Sequence, residues 1–293
     1  MFRKAERKQS KLRLAICGPS GSGKTYSALL IAQGLTPNGR IALVDTERGS
    51  GELYSNITDY DVAQLTPPYT PQRYIDLINA SIKSGYEVLI IDSISHAWTG
   101  DGGVLDMHSK ASTATRNSFT AWRDVTPKHN SMVDAIIGAP LHVIVTMRTK
   151  TAYEMTDENG KKKPMKIGLA PIQRDGMEYE FTTVFDLAIE QHLATASKDR
   201  TGIFDGQHFV PSVETGFLLR NWLESGAQPA ASVSEELKTA LEELQTEAST
   251  INTEDQLREW WAHNSAKIRS LTTNEQVNLS AICKQRIAEM NNE

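Results

Sequence analysis

Features typical of secreted or membrane proteins are scarce in this sequence. Its 293 residues include only two cysteines, Cys17 and Cys283, which lie far apart and outside any cluster of metal-ligand residues. No apolar run approaches the roughly 18 residues that a membrane span needs, and the first residues lack the apolar core of a signal peptide. We therefore expect a protein of a reducing, cytoplasmic compartment with no membrane partner.

An overall excess of basic residues is also missing. The formal net charge is −5 at pH 7, and the charges are unevenly distributed. Residues 1–13 contain six basic residues and one acidic residue, whereas residues 233–293 contain eleven acidic and six basic residues. Because the chain has no global positive field, any contact with nucleic acid has to be local.

One stretch carries a specific phosphate-binding motif. Gly18-Pro-Ser-Gly-Ser-Gly-Lys24-Thr25 fits the pattern G-x-x-x-x-G-K-[ST]. The alternating segment Leu12–Cys17 predicts a strand before it, and Tyr26–Gln33 predicts an amphipathic helix that ends at Gly34. A helix N-terminus after a glycine-rich turn directs backbone N–H groups and a favourable dipole at a phosphate.

The motif gives its residues separate roles. Its glycines let the backbone curl around a phosphate, Lys24 can reach the β- and γ-phosphates, and Thr25 can ligate Mg²⁺. We expect ATP and Mg²⁺ as cofactors, although no base-specificity motif separates ATP from GTP. The predicted nucleotide-binding residues are Gly18, Pro19, Ser20, Gly21, Ser22, Gly23, Lys24 and Thr25.

Further apolar runs predict the strands of a parallel sheet. They are Arg40–Asp45, Tyr86–Asp92 and Leu141–Thr146. Helices are predicted at Gln72–Ser84 and from about Phe119 to Ile137, whereas residues 94–118 show few strong elements. Continuous apolar strands separated by helices indicate an α/β fold with a mostly parallel central sheet covered on both faces.

The rest of the chain predicts a ribbon, edge pieces and a helical module. Thr151–Ala170 has the pattern of a two-stranded ribbon, Thr183–Glu190 that of another strand, and shorter edge pieces follow to about Leu219. Residues 234–248, 254–270 and 273–290 are predicted helices. The expected domains are a basic arm (1–12), an ATPase core (13–224), a linker (225–234) and an acidic helical module (235–293).

Two acidic residues follow predicted strands and can approach the phosphate loop. Asp92 ends an apolar strand, where its carboxylate can hold Mg²⁺ opposite Thr25, or be a strand-end carboxylate without a metal. Glu47 follows the strand that ends at Asp45, where it can orient and deprotonate the water that attacks a γ-phosphate. The alternative for Glu47 is a loop glutamate paired with Arg48.

The order and spacing of these motifs resemble the RecA-like ATPase core. The matching phrases are Gly-Pro-Ser-Gly-Ser-Gly-Lys-Thr, Ala-Leu-Val-Asp-Thr-Glu and Leu-Ile-Ile-Asp-Ser. More narrowly, Phe2-Arg-Lys-Ala5, Lys11-Leu-Arg-Leu-Ala15 and residues 174–181 resemble phage-encoded RecA-like ATP-binding proteins of the single-strand-annealing recombinase class. This resemblance covers about residues 1–220. It implies that Glu47 is the catalytic glutamate and Asp92 the metal-binding aspartate.

The resemblance also implies a sensor and a self-docking sequence. In recombinases a polar sensor of the γ-phosphate lies at the end of the fourth strand, where this chain has Thr146-Met147-Arg148 instead of the usual amide. Phe2 and Ala5 resemble the short Phe-x-x-Ala sequence by which related recombinases dock onto a neighbouring core. We therefore expect an oligomer or filament.

A basic residue inserted into a neighbour's ATP site is a further implication of the resemblance. Arg174 is the main candidate, with Lys163 and Lys166 as others. An arginine in this role stabilises charge on the transferring phosphate from the adjacent subunit. The alternative is a structural Arg174 paired with Asp175 or Glu178.

Two segments are candidates for contact with single-stranded DNA, because bases stack on aromatic rings while cations follow the phosphates. Residues 95–131 hold His96, Trp98, Lys110, Arg116, Phe119, Trp122, Arg123 and Lys128, and the ribbon tip holds Lys161, Lys162 and Lys163. Alternatively, Phe119 and Trp122 have the helical spacing of core residues, and adjacent lysines on a turn are often merely solvated.

The sequence as a whole predicts an ATP-hydrolysing phage recombination protein that acts on single-stranded DNA as an oligomer in the cytoplasm of a bacterial host. One alternative is an ATP-switched protein-interaction module without a DNA role. A P-loop kinase is a weaker alternative, since a kinase needs no water-activating acid such as Glu47. The acidic helical module is a candidate docking site for a single-stranded-DNA-binding protein, or a stabilising element.

Overall fold

A computed structural model describes residues 4–158, 161–227, 233–251, 253–270 and 273–290. The chain divides into two compact units, Met1–Ala227 and Gln228–Glu293. The strands are β1 (Arg13–Gly18), β2 (Ile41–Asp45), β3 (Asp61–Gln64), β4 (Val88–Asp92), β5 (His142–Glu158), β6 (Lys161–Pro171), β7 (Thr183–Leu187), β8 (Ala194–Asp199) and β9 (His208–Phe209). The helices of the first unit are α1 (Lys24–Leu35), α2 (Pro71–Lys83), α3 (Ser95–Thr99), α4 (Val104–Thr115), α5 (Ser118–Gly138) and α6 (Val213–Glu224).

The first unit is organised around a mostly parallel sheet with the strand order β3-β2-β4-β5-β1-β7-β8-β9. Neighbouring strands are parallel from β3 to β7, and β8 and β9 add an antiparallel edge. In the register, Asp45 lies opposite Asp92, and Ile16 lies opposite Thr146. The carboxyl ends of the parallel strands therefore meet at one edge, which is where α/β sheets bind ligands.

Successive residues of the strands point to opposite faces of the sheet, and each face carries its own apolar cluster. Ala15, Val44 and Ile91 pack with residues of α2 and α5 on one face. Leu14, Leu43 and Ile90 pack with residues of α1 and α6 on the other. The prediction of a parallel sheet covered on both faces is confirmed, and the continuous apolar character of the strands follows from this double burial.

The first helix does not end at Gly34 as predicted, because α1 continues to Leu35. Gly34 instead lies against Gly216 of α6. A β-carbon on Gly34 would collide with the Val213 carbonyl oxygen, and one on Gly216 with the Ile31 carbonyl oxygen. The glycines thus allow two helix backbones to approach closely. We expected short edge pieces up to about Leu219, but the last part of this stretch forms the helix α6.

The stretch at residues 94–118 is also more ordered than predicted. It forms α3 and α4, which are rich in Ser and Thr and bury few apolar side chains. A helix with a single buried apolar residue, here Val104 of α4, has no strong periodic pattern in the sequence. The predicted helices at 72–84 and 119–137 correspond to α2 and α5 and are confirmed.

The predicted ribbon is confirmed by the antiparallel pairing of β5 with β6, from Thr149 opposite Pro171 to Glu158 opposite Lys161. Part of the N-terminal segment pairs with the chain that follows α6. The Ala227 N–H donates to the Arg7 carbonyl over 2.9 Å, and the Gln9 N–H donates to the Ala227 carbonyl over 2.8 Å. Ala5 is exposed, whereas Phe2 lies outside the described residues.

The second unit contains the helices α7 (Val233–Thr250), α8 (Glu254–His263), α9 (Ser265–Ser270) and α10 (Thr273–Met290). The single helix predicted at 254–270 is therefore two helices, with Asn264 at the junction. Buried Leu244, Ile268 and Leu279 form one small apolar cluster against which both Trp260 and Trp261 pack. Among the described residues, no helix is long and apolar enough to cross a membrane.

Candidate nucleotide-binding site

The glycine-rich loop connects β1 to α1 at the carboxyl edge of the sheet. Gly21 and Gly23 have φ angles of 81° and 87°, which favour glycine. Gly18 has no room for a side chain, since a β-carbon there would lie 2.9 Å from the Leu187 carbonyl oxygen. Backbone conformation or lack of space thus explains why each of these three positions is a glycine. The helix α1 begins directly after the loop, at Lys24. The loop has the strand-to-helix context that phosphate binding requires.

Lys24 is oriented by the loop itself, because its Nζ donates to the Pro19 carbonyl over 2.8 Å. Burial lowers the pKa of Lys24, and the nearby Asp92 and Glu47 carboxylates oppose that shift. The two carboxylates that we predicted from the sequence are therefore close enough to act on the lysine. The fold brings Lys24, Glu47 and Asp92 together from three separate strand ends.

Asp92 is buried and is held by two hydroxyl groups. The Thr25 Oγ1 donates to its Oδ2 over 2.5 Å, and the Thr146 Oγ1 donates to its Oδ1. Burial raises the pKa of the Asp92 carboxyl, and the two hydroxyl donors oppose this rise. The residues fit Mg²⁺, because carboxylate and hydroxyl oxygens are its preferred protein ligands and a cation would offset the buried negative charge.

Glu47 lies in a loop that is shaped by a neighbouring carboxylate. Buried Asp45 accepts the N–H groups of Glu47 over 2.5 Å, Gly49 over 2.7 Å and Gly51 over 3.2 Å. The Glu47 Oε1 lies 2.9 Å from the Arg148 Nε. Its partner is thus Arg148, at the end of the predicted fourth strand, and not Arg48 as the alternative required.

These groups line one cavity of about 880 Å³. The wall includes the glycine-rich loop, Glu47, Asp92 and Arg148, together with residues that the sequence did not single out. The latter include Tyr26, Tyr54, His192, Val210 and Pro211. The rings of Tyr26 and Tyr54 meet edge to face at 6.1 Å. A cavity with phosphate-binding and aromatic parts suits a nucleotide.

The comparison with known families agrees with this geometry. The family model described as AAA domain matches residues 10–213, which is more than half of the chain. The chain belongs to the AAA domain family. The fold is accordingly that of a P-loop ATPase core, and the matched range runs from just before β1 to the start of α6. No curated protein sequence matches the chain.

Arg174 does not line the nucleotide cavity of its own AAA domain. Its Nη1 donates to the Asn130 Oδ1 over 3.3 Å, and no ion pair with Asp175 or Glu178 is present among the described residues. Lys163 and Lys166 lie in β6, and their side chains fall outside the described part of the chain. Within one subunit, Arg174 thus lies outside the set of residues that line the cavity with Lys24, Glu47 and Asp92.

His96 and Gln173 make contacts that the sequence did not predict. The His96 Nδ1 lies 2.7 Å from the Thr46 Oγ1, and its ring stacks on Tyr69 at 4.8 Å. Burial lowers the pKa of His96. Gln173 donates to the Ile94 carbonyl over 3.0 Å. His96 is therefore a half-buried residue that contacts Thr46 and Tyr69, and its contact with DNA stays a prediction.

The other DNA-contact candidates lie mostly on or near α4 and α5. Phe119 is 89% exposed, so the alternative that it packs in the core is wrong. Trp122 is partly buried between rings, with the His108 ring at 4.1 Å and the Trp98 ring at 6.0 Å. Lys110 forms an ion pair with Asp106, whereas Arg116, Arg123 and Lys128 are exposed.

Proposed function

We propose that this AAA domain hydrolyses ATP and that the protein is a RecA-like phage recombination ATPase, which acts on single-stranded DNA as an oligomer. The observation that supports hydrolysis most directly is the position of Glu47. Its carboxylate lines the same cavity as Lys24 and Asp92. A carboxylate beside a phosphate-binding loop is what activation of water requires.

In this proposal each residue has a defined task. The loop N–H groups and Lys24 bind the phosphates, and Thr25 and Asp92 would hold Mg²⁺, which would neutralise phosphate charge. Glu47 orients a water molecule and accepts its proton as the water oxygen bonds to the γ-phosphorus. The bond from that phosphorus to the β,γ-bridging oxygen breaks at the same time, and the products are ADP and phosphate.

Arg148 is the better candidate for the γ-phosphate sensor. Thr146 is fully buried and donates its hydroxyl to Asp92, so it acts on the metal-binding carboxylate. Arg148 lines the cavity and contacts Glu47. A guanidinium in that position can bind phosphate oxygens and hold Glu47 in place at the same time.

An exposed aromatic residue between cations supports the DNA part of the proposal. Phe119 lies in the first turn of α5, Arg116 in the turn before it, and Arg123 one helical turn after it. The two arginines are exposed, as is the ring of Phe119. Stacking surfaces flanked by cations bind single strands without sequence preference.

Titration of a labelled oligothymidine at fixed salt concentration tests this part. Stacking is worth about 1–3 kcal/mol per base, so we expect Phe119→Ala to weaken binding at least about fivefold. Tyr179→Ala is the matched control, since Tyr179 is 69% exposed on a different surface segment. Equal affinities of wild type and Phe119→Ala, or no binding by the wild type, contradict the proposal; the latter result favours the protein-interaction alternative.

A further inference from the structure

We propose that His192 is a phosphate-binding residue of the nucleotide site. This inference rests on the proposed binding of ATP and adds a residue that the phosphate-loop motif does not contain. His192 comes from the connection between β7 and β8. The motif residues, by contrast, run from the last residue of β1 into the first turn of α1.

The imidazole lies directly over the glycine-rich loop. A β-carbon placed on Gly23 would lie 3.2 Å from the His192 Nδ1 and 3.5 Å from its Cγ. His192 also lines the cavity with Lys24 and Tyr26. In this motif the N–H groups around Gly23 surround the phosphates. The ring therefore borders the part of the cavity where phosphate oxygens are bound.

The local backbone holds the ring in this place. Gln191 and His192 have φ angles of 56° and 54°, in the left-handed region that residues other than glycine seldom adopt. The turn is closed by the Ala188 N–H, which donates to the Leu193 carbonyl over 2.8 Å. Unusual backbone conformations of this kind persist where the surrounding structure fixes them, often at binding sites.

The ring itself has no structural partner. Among the described residues, no hydrogen bond or ion pair involves the His192 side chain, and the residue is exposed. An imidazole always carries at least one N–H donor, and phosphate oxygens are strong acceptors. Because the residue is exposed, water satisfies this donor in the absence of a ligand, and a phosphate oxygen of a bound nucleotide can replace that water.

Binding of the base is the competing role for the ring. The same cavity already contains the Tyr26 and Tyr54 rings, which provide apolar surface for a base. His192 differs from them in its place over Gly23 and in its polar N–H. We therefore assign it to the phosphates, and an experiment can separate the two roles with a ligand that has phosphates but no base.

The test uses the full chain and displacement of a fluorescent ATP analogue by unlabelled ATP or by inorganic tripolyphosphate. His192→Phe keeps a ring without a donor, and His192→Gln keeps a donor without a ring. We expect His192→Phe to weaken the binding of both competitors, ATP and tripolyphosphate, about tenfold, as for a lost charge-assisted hydrogen bond. The glutamine variant is expected to stay within about threefold of the wild type.

His208→Phe is the matched control, since His208 is an exposed histidine on β9 that does not line the cavity. Unchanged affinities in His192→Phe overturn the proposal, as do equal losses in both His192 variants. A loss for ATP without a loss for tripolyphosphate assigns the ring to the base and also overturns it. Lys24→Ala tests the phosphate loop separately: if it retains tripolyphosphate binding, ATP binding by the loop is wrong whatever His192 does.

Discussion

Asp92 and Glu47 share one cavity, but the protein holds the two carboxylates differently. Asp92 is buried and fixed by the hydroxyls of Thr25 and Thr146. The Glu47 side chain is 29% exposed and contacts Arg148. A buried carboxylate gains most from a bound cation, whereas a partly exposed one can reach a water molecule. Their surroundings thus agree with the separate roles that we propose.

A buried histidine makes the stability of the fold depend on pH. His142 accepts the Leu12 N–H at its Nδ1 over 3.0 Å, and burial lowers its pKa to about 3. The unfolded chain, with an ordinary histidine pKa near 6.5, binds a proton that the folded chain excludes. The contribution of neutral His142 to stability is therefore fully present above about pH 6.5 and is lost as the pH falls toward 3. We expect a loss of about 2 kcal/mol between pH 7 and pH 5 from this residue.

Urea denaturation at both pH values measures this contribution. His142→Gln is expected to show a smaller decline in the free energy of unfolding between pH 7 and pH 5 than the wild type. His208→Gln removes an exposed histidine and should keep the full decline. Equal declines in wild type and His142→Gln would show that His142 does not set the pH dependence.

The sequence predicts well the site residues that have a local sequence signal. It predicts poorly those that reach the site from separate loops. Lys24 and Thr25 follow from a contiguous motif, and Glu47 and Asp92 from their places after apolar strands. All four line the cavity. Tyr54 and His192 have no such local signal. They reach the cavity because separate loops converge at the carboxyl edge of the sheet, which depends on strand order and on turn conformations.

At the scale of elements, the contact between α1 and α6 is sensitive to any added side-chain volume. Gly34 and Gly216 let the two helices approach so closely that no β-carbon fits at either position. We expect Gly216→Ala to destabilise the protein by about 1–3 kcal/mol, as for overpacked sites. Thermal or urea denaturation measures the change.

Gly138→Ala is the matched control for this prediction. A β-carbon at Gly138 has no atom within 4 Å, and alanine is the better helix former. The variant should be as stable as the wild type or slightly more stable. If Gly216→Ala has the stability of Gly138→Ala, the close approach of α1 and α6 is not what the structure indicates.

The elements that were not predicted from the sequence share a physical reason for this. Double burial gives β1, β2, β4 and β5 continuous apolar runs that identify them without tertiary knowledge. By contrast, α4 buries a single apolar residue, Val104, and the edge strand β3 has no fully buried residue. Such elements depend on their neighbours, so their sequences carry weak periodic signals.

At the scale of the whole molecule, Arg174 is the candidate residue by which one subunit completes the site of another. Arg174 does not line its own cavity and contacts Asn130. If it acts on a neighbouring subunit, Arg174→Ala should lower turnover at least tenfold and remove the rise of specific activity with protein concentration. Steady-state ATPase rates over a range of protein concentrations measure both effects.

Arg40→Ala controls for loss of a surface arginine, since Arg40 pairs with Asp61 at the exposed edge of the sheet. This variant should keep the wild-type concentration dependence. If Arg174→Ala behaves like Arg40→Ala, the proposal that Arg174 completes a neighbour's site is refuted, although the nucleotide site within the subunit is unaffected by that result.

In the proposed function, Glu47 is the residue that turns nucleotide binding into hydrolysis. We propose to measure ATP affinity and steady-state ATP hydrolysis, with and without single-stranded DNA, for the wild type, Glu47→Gln and the control Glu52→Gln. Glu52 is an exposed acid five residues further along the same loop region.

We expect DNA to stimulate ATP hydrolysis by the wild type and by Glu52→Gln. We also expect Glu47→Gln to keep its ATP affinity within a few-fold while its turnover falls at least about 100-fold, as for loss of a catalytic base. Turnover of Glu47→Gln within about threefold of the wild type would contradict the proposed catalytic role of Glu47.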